Sequence, residues 1–306
     1  MTYQNPLVTI ITITRNRADL ISRAISSILS QSYQNFEYII VNGASNDNTI
    51  EVVESFKDNR VKLVNLDSNL STFQSFNIGY KISKGDYVTF LDDDDEYLPE
   101  KIRKQVELIE TLSEEYGFVY CWMDYFDSKT QSKIREHHPK LRGYVANLVV
   151  EKPVVSGTPT FFFRRSCFEK LGGWKDNIGI ISDWELAARC CQTWKVDYVP
   201  ESLVNVYVNH NSVRMSNSKY YTDFKERRIK FHLYFLEEFK NIFDKYPKKK
   251  NYHLHALASS YFLLGKWKEG WGFYKNLLNN TITVKYLLLP PYCFIKRILQ
   301  NETTNR

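Results

Sequence analysis

The first ninety residues alternate short apolar runs with segments whose apolar residues recur at helical spacing. The runs at 7–14, 36–42, 61–65 and 87–91 are rich in β-branched and aromatic residues and predict strands. Between them, stripes typical of helices are formed by Leu20, Ala24 and Ile28, by Ile50, Val53 and Phe56, and by Phe73, Phe76 and Tyr80. This alternation predicts an α/β fold with a mostly parallel sheet and helices on both of its faces.

After residue 117 the spacing of the predicted elements changes. Further strands are predicted at 118–126, 160–163, 195–199 and 203–208. A helix is expected to open at Asp183, and these elements are expected to complete a domain that ends near residue 215.

The remainder, 216–306, is predicted to be a helical extension because its aromatic and apolar residues keep helical spacing. The segments 256–267 and 270–274 suggest a helical hairpin similar to one tetratricopeptide unit. One such unit cannot bury its own apolar face, so we expect it to pack on the main domain.

The composition, 43% hydrophobic and 25% charged over 306 residues, is typical of a globular protein with a sizeable core. A net charge of +6, mild and dispersed, with no nucleic-acid-binding motif, argues against nucleic acid and suits an anionic substrate. The five cysteines lack C-x-x-C spacing and are predicted to be reduced structural thiols. His253 and His255, with no carboxylate or cysteine beside them in the sequence, are expected at the surface.

The sequence shows no secretory signal and no apolar stretch long enough to span a bilayer, so we expect a cytoplasmic protein. The nearest approach, 286–295, is interrupted by Pro290 and Pro291 and flanked by Lys285 and Lys296. Two interpretations of this segment remain open. It is either a peripheral contact with the inner face of the membrane, or ordinary core that packs on the helical hairpin.

Four consecutive carboxylates, Asp92 to Asp95, follow the strand at 87–91. In an open α/β sheet, ligands bind outside the carboxyl ends of the strands, which is where this run falls. Carboxylates so close together repel one another unless water or a cation compensates them. Oxygen ligands in D-x-D spacing suit Mg²⁺ or Mn²⁺, which usually also bind a diphosphate. The alternative is a solvated loop whose acids favour the positive end of the next helix.

Nine short motifs, taken together, resemble those of the inverting glycosyltransferases of family 2, which have the GT-A fold. They are VTIITITRNR at 8–17, SILSQSY at 27–33, YIIVNGASND at 38–47, NIG at 77–79, GDYVTFLDDDD at 85–95, FRR at 163–165, GGW at 172–174, DWEL at 183–186 and VPE at 199–201. The match covers roughly residues 6–215 and keeps the family's order. The resemblance implies a GT-A domain at 1–215, with a Rossmann-like, mostly parallel sheet, followed by the helical extension.

By position in the motif, the resemblance implies that Asp94 is a ligand of a catalytic Mn²⁺ or Mg²⁺. Asp92 and Asp93 would then contact the donor ribose or the ion. His210 matches a family histidine near the metal and the diphosphate, with a loop histidine as the alternative. The residues expected to meet the nucleobase of the donor are Thr14, Arg15, Asn16 and Asn42.

Asp183 matches the family's catalytic position, where a carboxylate takes the proton of the attacking acceptor hydroxyl. Taken alone, it would be read as the N-cap of its helix. Three positions depart from the family's pattern. Arg15 stands where many relatives carry an aromatic residue, Asn42-Gly43 replaces two aspartates, and Ser182 replaces a glutamate. The second departure leaves the choice of UDP over another nucleotide open.

The resulting hypothesis is a metal-dependent inverting glycosyltransferase of surface-polysaccharide synthesis. It would move a sugar from a nucleotide-sugar, taken to be a UDP-sugar, to a hydroxyl of a saccharide or lipid-linked acceptor. One alternative is a nucleotidyltransferase of the same fold, which usually has a Gly-rich loop where 14–17 has no glycine. Another is a non-catalytic relative that binds a carbohydrate or a partner, against which the joint presence of Asp92, Asp94 and Asp183 argues. The sugar, the acceptor and the linkage are not specified by the sequence.

Overall fold

The computed structural model describes residues 5–155, 157–176, 178, 181–209, 221–281 and 283–304. Contacts between residues divide the chain into two compact units. The first unit comprises Met1–Val145, Val155–Asp176 and Leu186–Ser212, and the second comprises Ala146–Val154, Asn177–Glu185 and Val213–Arg306. The second unit therefore takes in two segments that precede residue 215.

The first unit begins with the predicted alternation of strands and helices. Its opening elements are β1 (Val8–Thr14), α1 (Ile21–Leu29), β2 (Phe36–Asn42), α2 (Thr49–Ser55), β3 (Val61–Asn65), α3 (Thr72–Ile82) and β4 (Tyr87–Phe90). These strands are parallel to their neighbours, in the order β3-β2-β1-β4. The strands and helices predicted for this part are thus confirmed, with small shifts at their ends.

Beyond β4 the sheet becomes mixed. The next elements are β5 (Glu96–Tyr97), α4 (Lys101–Glu110), β6 (Tyr116–Asp127), β7 (Lys133–His137), α5 (Ala146–Val149), β8 (Phe162–Arg164), α6 (Arg165–Lys170), α7 (Ser182–Thr193) and β9 (Lys195–Val208). Antiparallel β8 joins β4 to β6, and β9 runs parallel to β6 and antiparallel to β5. The full order is β3-β2-β1-β4-β8-β6-β9-β5, with β7 paired to β6. The predicted α/β class is confirmed.

The strands predicted at 195–199 and 203–208 are one strand, β9, which corrects the prediction. Cys121 of β6 pairs with Val199 and the next residue of β6 pairs with Ser202, so the ladder skips Pro200 and its neighbour. Proline has no N–H to donate to a ladder, and a bulge accommodates it without ending the strand. The proline therefore resembles a strand boundary in the sequence and is not one in the fold.

Apolar side chains cover both faces of the sheet in the first unit. On one face, Ile10 belongs to a core cluster with residues of α1 and α4. On the other face, α3 lies so close that a Cβ added at Gly79 would stand 2.7 Å from Cγ2 of Ile11. Phe76 of the same helix stacks on Trp174 with ring centroids 5.6 Å apart. Packing on both faces fixes β1 and β4, and hence their carboxyl ends.

The second unit is mainly helical, as predicted. Its helices after β9 are α8 (Tyr221–Glu238), α9 (Lys240–Lys245), α10 (Asn251–Leu264), α11 (Trp267–Asn280), α12 (Val284–Leu287) and α13 (Leu289–Thr304). Helices α10 and α11 form the expected hairpin, and Gly265 turns the chain between them with φ +77°, a left-handed conformation that glycine adopts without strain. Its expected packing on the main domain stays a prediction. No helix in the described residues is both long and apolar enough to cross a bilayer.

His253 is fully buried in α10, so the expectation that it lies at the surface was wrong. Helix α10 contacts α8, α11 and α13 and is buried over much of its circumference. A lone histidine in the sequence gives no sign of that environment, because the helices that cover it are distant along the chain.

Candidate active site

The carboxyl ends of β1, β2 and β4 meet at one edge of the sheet. Thr14 pairs with Asn42 where β1 and β2 end, and the N–H of Leu91, just after β4, donates to the carbonyl of Ile11 at 3.0 Å. Because parallel strands end on the same side, the acidic run at 92–95 lies beside the loop that follows β1. The residues predicted to form a donor site after β1 and β4 are therefore brought together.

Two members of the acidic run, Asp93 and Asp95, bond to other parts of the fold. Asp93 is buried and its carboxylate accepts a hydrogen bond from the hydroxyl of Thr14 at 2.7 Å. The carboxylate of Asp95 accepts the backbone N–H of Tyr207, from β9, at 3.1 Å. The N–H of Asp95 also donates to the carbonyl of Asp92 at 3.2 Å. The run is thus a turn anchored by β1 and β9, and not the solvated loop of the alternative interpretation.

Arginine side chains bring positive charge to Asp94. Nη1 of Arg17, from the loop after β1, stands 3.7 Å from Oδ2 of Asp94. Arg23 of α1 donates to the backbone carbonyl of Asp94 at 2.6 Å, and its guanidinium lies 3.8 Å from the ring centroid of Tyr207. These cations offset part of the repulsion within the acidic run. A guanidinium at such a turn also suits an anionic ligand such as a diphosphate.

The carboxyl group of Asp93 has an unusual pKa. Burial raises it from 3.8 to about 7, and the negative charge of Asp94 adds to the rise. The cation of Arg17 and the hydroxyl of Thr14 oppose it. The carboxyl group of Asp93 is therefore partly protonated near neutral pH, which reduces the negative charge of the run as a whole.

Arg15 and Asn16 are exposed at the tip of the loop after β1. Asn16 adopts φ +53°, a left-handed conformation that asparagine tolerates better than most residues. Its N–H donates to the hydroxyl of Ser45 at 2.9 Å, and its side-chain oxygen accepts the N–H of Asn46 at 2.8 Å. Asn16 thereby ties the loop after β1 to the loop after β2, and Arg15 is presented beside it.

Asn42 is buried at the end of β2, and its amide is used within the protein. Its oxygen accepts the hydroxyl of Ser45 at 2.5 Å and the N–H of the same residue at 3.3 Å. Its nitrogen donates to the side-chain oxygen of Asn65 at 3.0 Å. An amide oxygen has two lone pairs, so these contacts occupy the acceptor that was expected to face a nucleobase. The role in nucleobase recognition stays a prediction.

Asp183 lies in the first turn of α7 and belongs to the second unit. The helix begins one residue earlier, at Ser182, so Asp183 is not the residue that precedes the helix. Its carboxylate is partly buried and accepts the N–H of Trp184 at 2.8 Å. An acid in this position is stabilised by the positive end of the helix. His210, the other predicted contact outside the acidic run, lies outside the described residues.

Arg17, Arg23 and Tyr207 are part of the site, although the sequence analysis gave none of them a role. Arg17 carried a signal, since it follows the first strand within the matched motif at 8–17. Arg23 looks like an ordinary polar position of an amphipathic helix, and Tyr207 like one residue of a strand. Only the pairing of β9 with β5 brings Tyr207 to the acidic run.

A cavity of about 520 Å³ opens at the other end of β4, away from the acidic run. It is lined by Asn5, Asp86, Tyr87, Glu110, Glu114 and Arg164. Because it lies at the amino end of a parallel strand, it takes no part in the site described above.

In the part of the chain that the structure describes, no group of three or more His, Cys, Asp or Glu side chains is arranged so that it could hold a metal ion. Asp92 and Asp94 nevertheless offer hard oxygen donors two residues apart on one turn. Mg²⁺ is usually held by one or two carboxylates, with waters and substrate phosphates filling the other positions. The residues present therefore fit a divalent cation that is bound together with a diphosphate.

Solved structures with the same fold include two glycosyltransferases in complex with nucleotide-sugars. The Staphylococcus aureus protein TarS (residues 1–349, with UDP-GlcNAc) aligns with a TM-score of 0.64 and 15% identity, over 93% of this chain and 90% of that one. The mannosyltransferase PcManGT from Pyrobaculum calidifontis, with GDP-Man and Mn²⁺, aligns with a TM-score of 0.58 and 16% identity, over 100% and 89%. At these identities the likeness is one of fold, and it confirms the predicted GT-A architecture.

Relatives by sequence include an uncharacterized glycosyltransferase of Rickettsia prowazekii, 30% identical over 60% of this chain and 58% of that protein. A putative teichuronic acid biosynthesis glycosyltransferase of Bacillus subtilis, TuaG, is 34% identical over 39% of this chain and 48% of its own. An Escherichia coli glucosyltransferase, WfaP, named for UDP-Glc and α-D-GlcNAc-diphosphoundecaprenol, is 36% identical over 34% and 42%. The match spans less than two thirds of each of these relatives.

The family model described as glycosyl transferase family 2 matches residues 9–172. That stretch is more than half of the chain, and it contains all but the first residue of β1, the loop after β2, the acidic run and the arginines beside it. The chain therefore belongs to glycosyl transferase family 2.

Proposed function

We propose that this protein is an inverting glycosyltransferase that moves a sugar from a nucleotide-sugar to a hydroxyl group in the synthesis of a bacterial surface polysaccharide. The observation that carries the proposal is the family match over residues 9–172, with the acidic run inside it at the carboxyl end of β4. A substrate that carries a diphosphate suits a turn at which Arg17 lies beside the carboxylates.

A UDP-sugar is the proposed donor. TarS is described in complex with UDP-GlcNAc, and WfaP is named for UDP-Glc, whereas PcManGT is described with GDP-Man. In this protein the exposed guanidinium of Arg15 is the group proposed to stack on the base, since a planar cation can replace an aromatic ring there. Thr14 and Asn16 are proposed to shape the loop that receives the base, together with the buried Asn42.

Asp94 and Asp92 are proposed to hold Mn²⁺ or Mg²⁺ together with the donor, and His210 is proposed as a further contact. The bound cation would neutralise negative charge on the departing diphosphate. Arg17 is proposed to neutralise part of the same charge from the protein side. PcManGT, described with Mn²⁺, supports this part by analogy of fold.

Asp183 is proposed as the general base that takes the proton of the acceptor hydroxyl. The proton moves to a carboxylate oxygen as the acceptor oxygen attacks the anomeric carbon from the face opposite to the diphosphate. Such a base must be ionised before the attack, and its place in the first turn of α7 favours the ionised form.

The proposed acceptor is a saccharide, carried on a lipid diphosphate. The names of TuaG, for teichuronic acid, and of WfaP, for a diphosphoundecaprenol-linked sugar, support it. With a lipid-linked acceptor, the proposed reaction takes place at a membrane surface, and we propose that α12 and α13 make a peripheral contact with its inner face.

The apolar residues between 287 and 295 fall into a buried group and an exposed group. Only the exposed group is available to contact a membrane. Leu289 and Cys293 are buried against Ala258, Phe262 and Tyr274. Side chains that are instead 50–58% exposed are those of Leu287, Leu288, Tyr292, Phe294 and Ile295. We propose that the exposed group meets an anionic membrane surface, with Lys296 beside Tyr292 directed to the headgroups.

The deciding experiment incubates the full chain with UDP-glucose, UDP-N-acetylglucosamine or GDP-mannose, in Mn²⁺, Mg²⁺ or EDTA. Release of the nucleoside diphosphate is followed with and without a synthetic GlcNAc-diphospholipid. We expect metal-dependent release from a UDP-sugar, accelerated by the acceptor. Synthesis of a nucleotide-sugar from UTP and a sugar 1-phosphate would identify a nucleotidyltransferase instead, and no reaction with any donor would favour a non-catalytic relative.

A further inference from the structure

The segment that carries Asp183 is built into the helical unit. Asn177–Glu185 and Ala146–Val154 belong to the second unit together with Val213–Arg306, although both precede the extension in sequence. The residues that follow Asp183, Trp184 and Glu185, are fully buried. Their contacts show how the helices of this unit hold the segment.

Trp184 is held by a hydrogen bond and by packing against two aromatic rings. Its Nε1–H donates to the backbone carbonyl of Val149, at the end of α5, at 2.5 Å. The indole stacks on His253 of α10, with centroids 5.3 Å apart and planes at 23°. Phe235 of α8 lies against it with centroids 4.5 Å apart. A large side chain fixed by a hydrogen bond and two rings leaves its own backbone little freedom.

His253 is itself fixed by hydrogen bonds on both ring nitrogens. Its Nε2 stands 2.7 Å from the carbonyl of Val150, which can only accept, so Nε2 carries the proton. Its Nδ1 is therefore an acceptor, and it lies 3.0 Å from Nδ1 of His232, which donates. Burial lowers the pKa of both imidazoles, to about 4 for His253 and about 2 for His232, so both rings are neutral and this order of donors holds.

Glu185, the residue after Trp184, forms a second contact that holds the segment. Its carboxylate is fully buried and accepts the hydroxyl of Tyr234, from α8, at 2.8 Å. A buried carboxylate is costly without such partners, so this hydrogen bond helps to fix the start of α7. Tyr234 and His253 thus approach the segment from different helices.

We propose that α8 and α10 position the general base: His253, through Trp184, and Tyr234, through Glu185, hold Asp183 where it meets the acceptor hydroxyl. The inference rests on the proposed function of Asp183. A general base works only within hydrogen-bond reach of the proton that it takes, and displacement by about 1 Å costs on the order of a hundredfold in rate. The helical extension is then part of the catalytic apparatus of this protein.

The test compares His253→Met, which removes both hydrogen-bonding nitrogens, with His253→Gln, which restores an N–H that can reach the carbonyl of Val150. Tyr234→Phe removes only a hydroxyl, and Tyr261→Phe is its matched control, because Tyr261 of α10 packs on Phe273. Turnover and the KM for the donor are measured with the nucleotide-sugar that the wild type hydrolyses, chosen from UDP-glucose, UDP-N-acetylglucosamine and GDP-mannose. The melting temperature of each variant is measured as well.

We expect His253→Met to lower kcat by roughly tenfold or more with KM for the donor nearly unchanged, and His253→Gln to recover much of that loss. Tyr234→Phe should lower kcat about threefold to tenfold, and Tyr261→Phe should leave it unchanged. In an Asp183→Asn background, His253→Met should have almost no further effect, because positioning no longer matters once the base is absent.

Wild-type kcat in both His253→Met and Tyr234→Phe would overturn the inference, as would equal losses with and without Asp183. If His253→Met fails to fold, Tyr234→Phe decides the matter alone. Asp183→Asn separates this inference from the proposed function. Full turnover in Asp183→Asn removes the general base itself, whereas an inactive Asp183→Asn with active positioning variants removes only the inference drawn here.

Discussion

At the residue scale, neighbouring carboxylates have different tasks because the fold surrounds them differently. Asp94 is buried beside Arg17, so deletion of its side chain would leave a cation without this counter-charge. The informative substitution is therefore one that keeps the shape of the side chain and removes its charge.

We predict that Asp94→Asn lowers turnover by roughly a hundredfold or more, since the proposed metal ligand and the charge partner of Arg17 are lost together. Added Mn²⁺ should no longer raise the melting temperature in the presence of UDP. Glu51→Gln, at an exposed position of α2, serves as the control. Activity of Asp94→Asn close to that of the wild type in Mn²⁺ would show that Asp94 is not a ligand.

Lys101 offers a second prediction, about stability. It is fully buried, donates to the hydroxyl of Thr89 at 3.0 Å and lies 3.8 Å from the ring centroid of Tyr97. Burial lowers its pKa from 10.5 to about 7. Between these values the unfolded chain binds the proton more tightly, so stability falls as pH falls from 10.5 towards 7, and below 7 the loss is complete.

Lys101→Met should remove this dependence, because methionine fills a similar space without a charge. We expect the urea midpoint of the variant to be at least as high as that of the wild type at pH 7, and to change less between pH 7 and 9. Parallel curves for the two proteins would show that Lys101 stays protonated across this range.

At the scale of elements, α8 and α10 meet through a neutral histidine pair, which makes their packing sensitive to acid. The pKa values of His232 and His253 are lowered by burial below the ordinary 6.5. Stability from the pair is therefore fully present above pH 6.5. It is lost as pH falls from 6.5 towards 4 for His253 and towards 2 for His232, because the unfolded chain takes up the protons first.

His232→Asn keeps a nitrogen donor close to His253 and removes one titrating group. We expect its melting temperature to fall less than that of the wild type between pH 7 and pH 5. Above pH 7, the melting temperatures of the two proteins should change with pH in nearly the same way. An equal fall in both would mean that the pair does not govern the acid sensitivity of these helices.

At the scale of the whole molecule, the sequence left two interpretations of the C-terminal apolar segment open, a membrane contact and ordinary core. Different residues of the segment suit each of them. Leu289 and Cys293 are core, whereas the neighbouring apolar residues are exposed. A truncation after Thr283 would therefore remove core residues as well as exposed ones, so it could not show which group binds a membrane. Substitution of exposed residues alone avoids this.

We predict that the full chain floats with phosphatidylglycerol vesicles, less with phosphatidylcholine vesicles, and less at high salt. The double variant Phe294→Ser, Ile295→Ser should lose most of this binding with an unchanged melting temperature. Ile134→Ser, at an exposed position of β7, should bind as the wild type does. Equal flotation of the double variant and the wild type would remove this surface as the membrane contact.

Much of the first unit could be predicted because its signals are local. Strand β2 was predicted with the bounds that it has, Phe36–Asn42, since a short apolar run between polar turns has few other interpretations. Strand β9 was divided at Pro200, because a bulge depends on the partner strand and leaves no periodic trace. The burial of His253 could not be predicted for a similar reason.

The sequence by itself determined the order of strands and helices as far as β4, the α/β class and the place of the acidic run at the end of a strand, because periodicity and turn residues act over a few neighbouring positions. Only the tertiary structure decided which acids are buried, that Asn42 braces a loop, and that the segment of Asp183 belongs with the C-terminal helices. Those features depend on contacts between residues far apart in the chain, such as the hydrogen bond between Asp95 and Tyr207, 112 positions away. The free energy of such a contact depends on burial and geometry, which no local pattern of residues encodes.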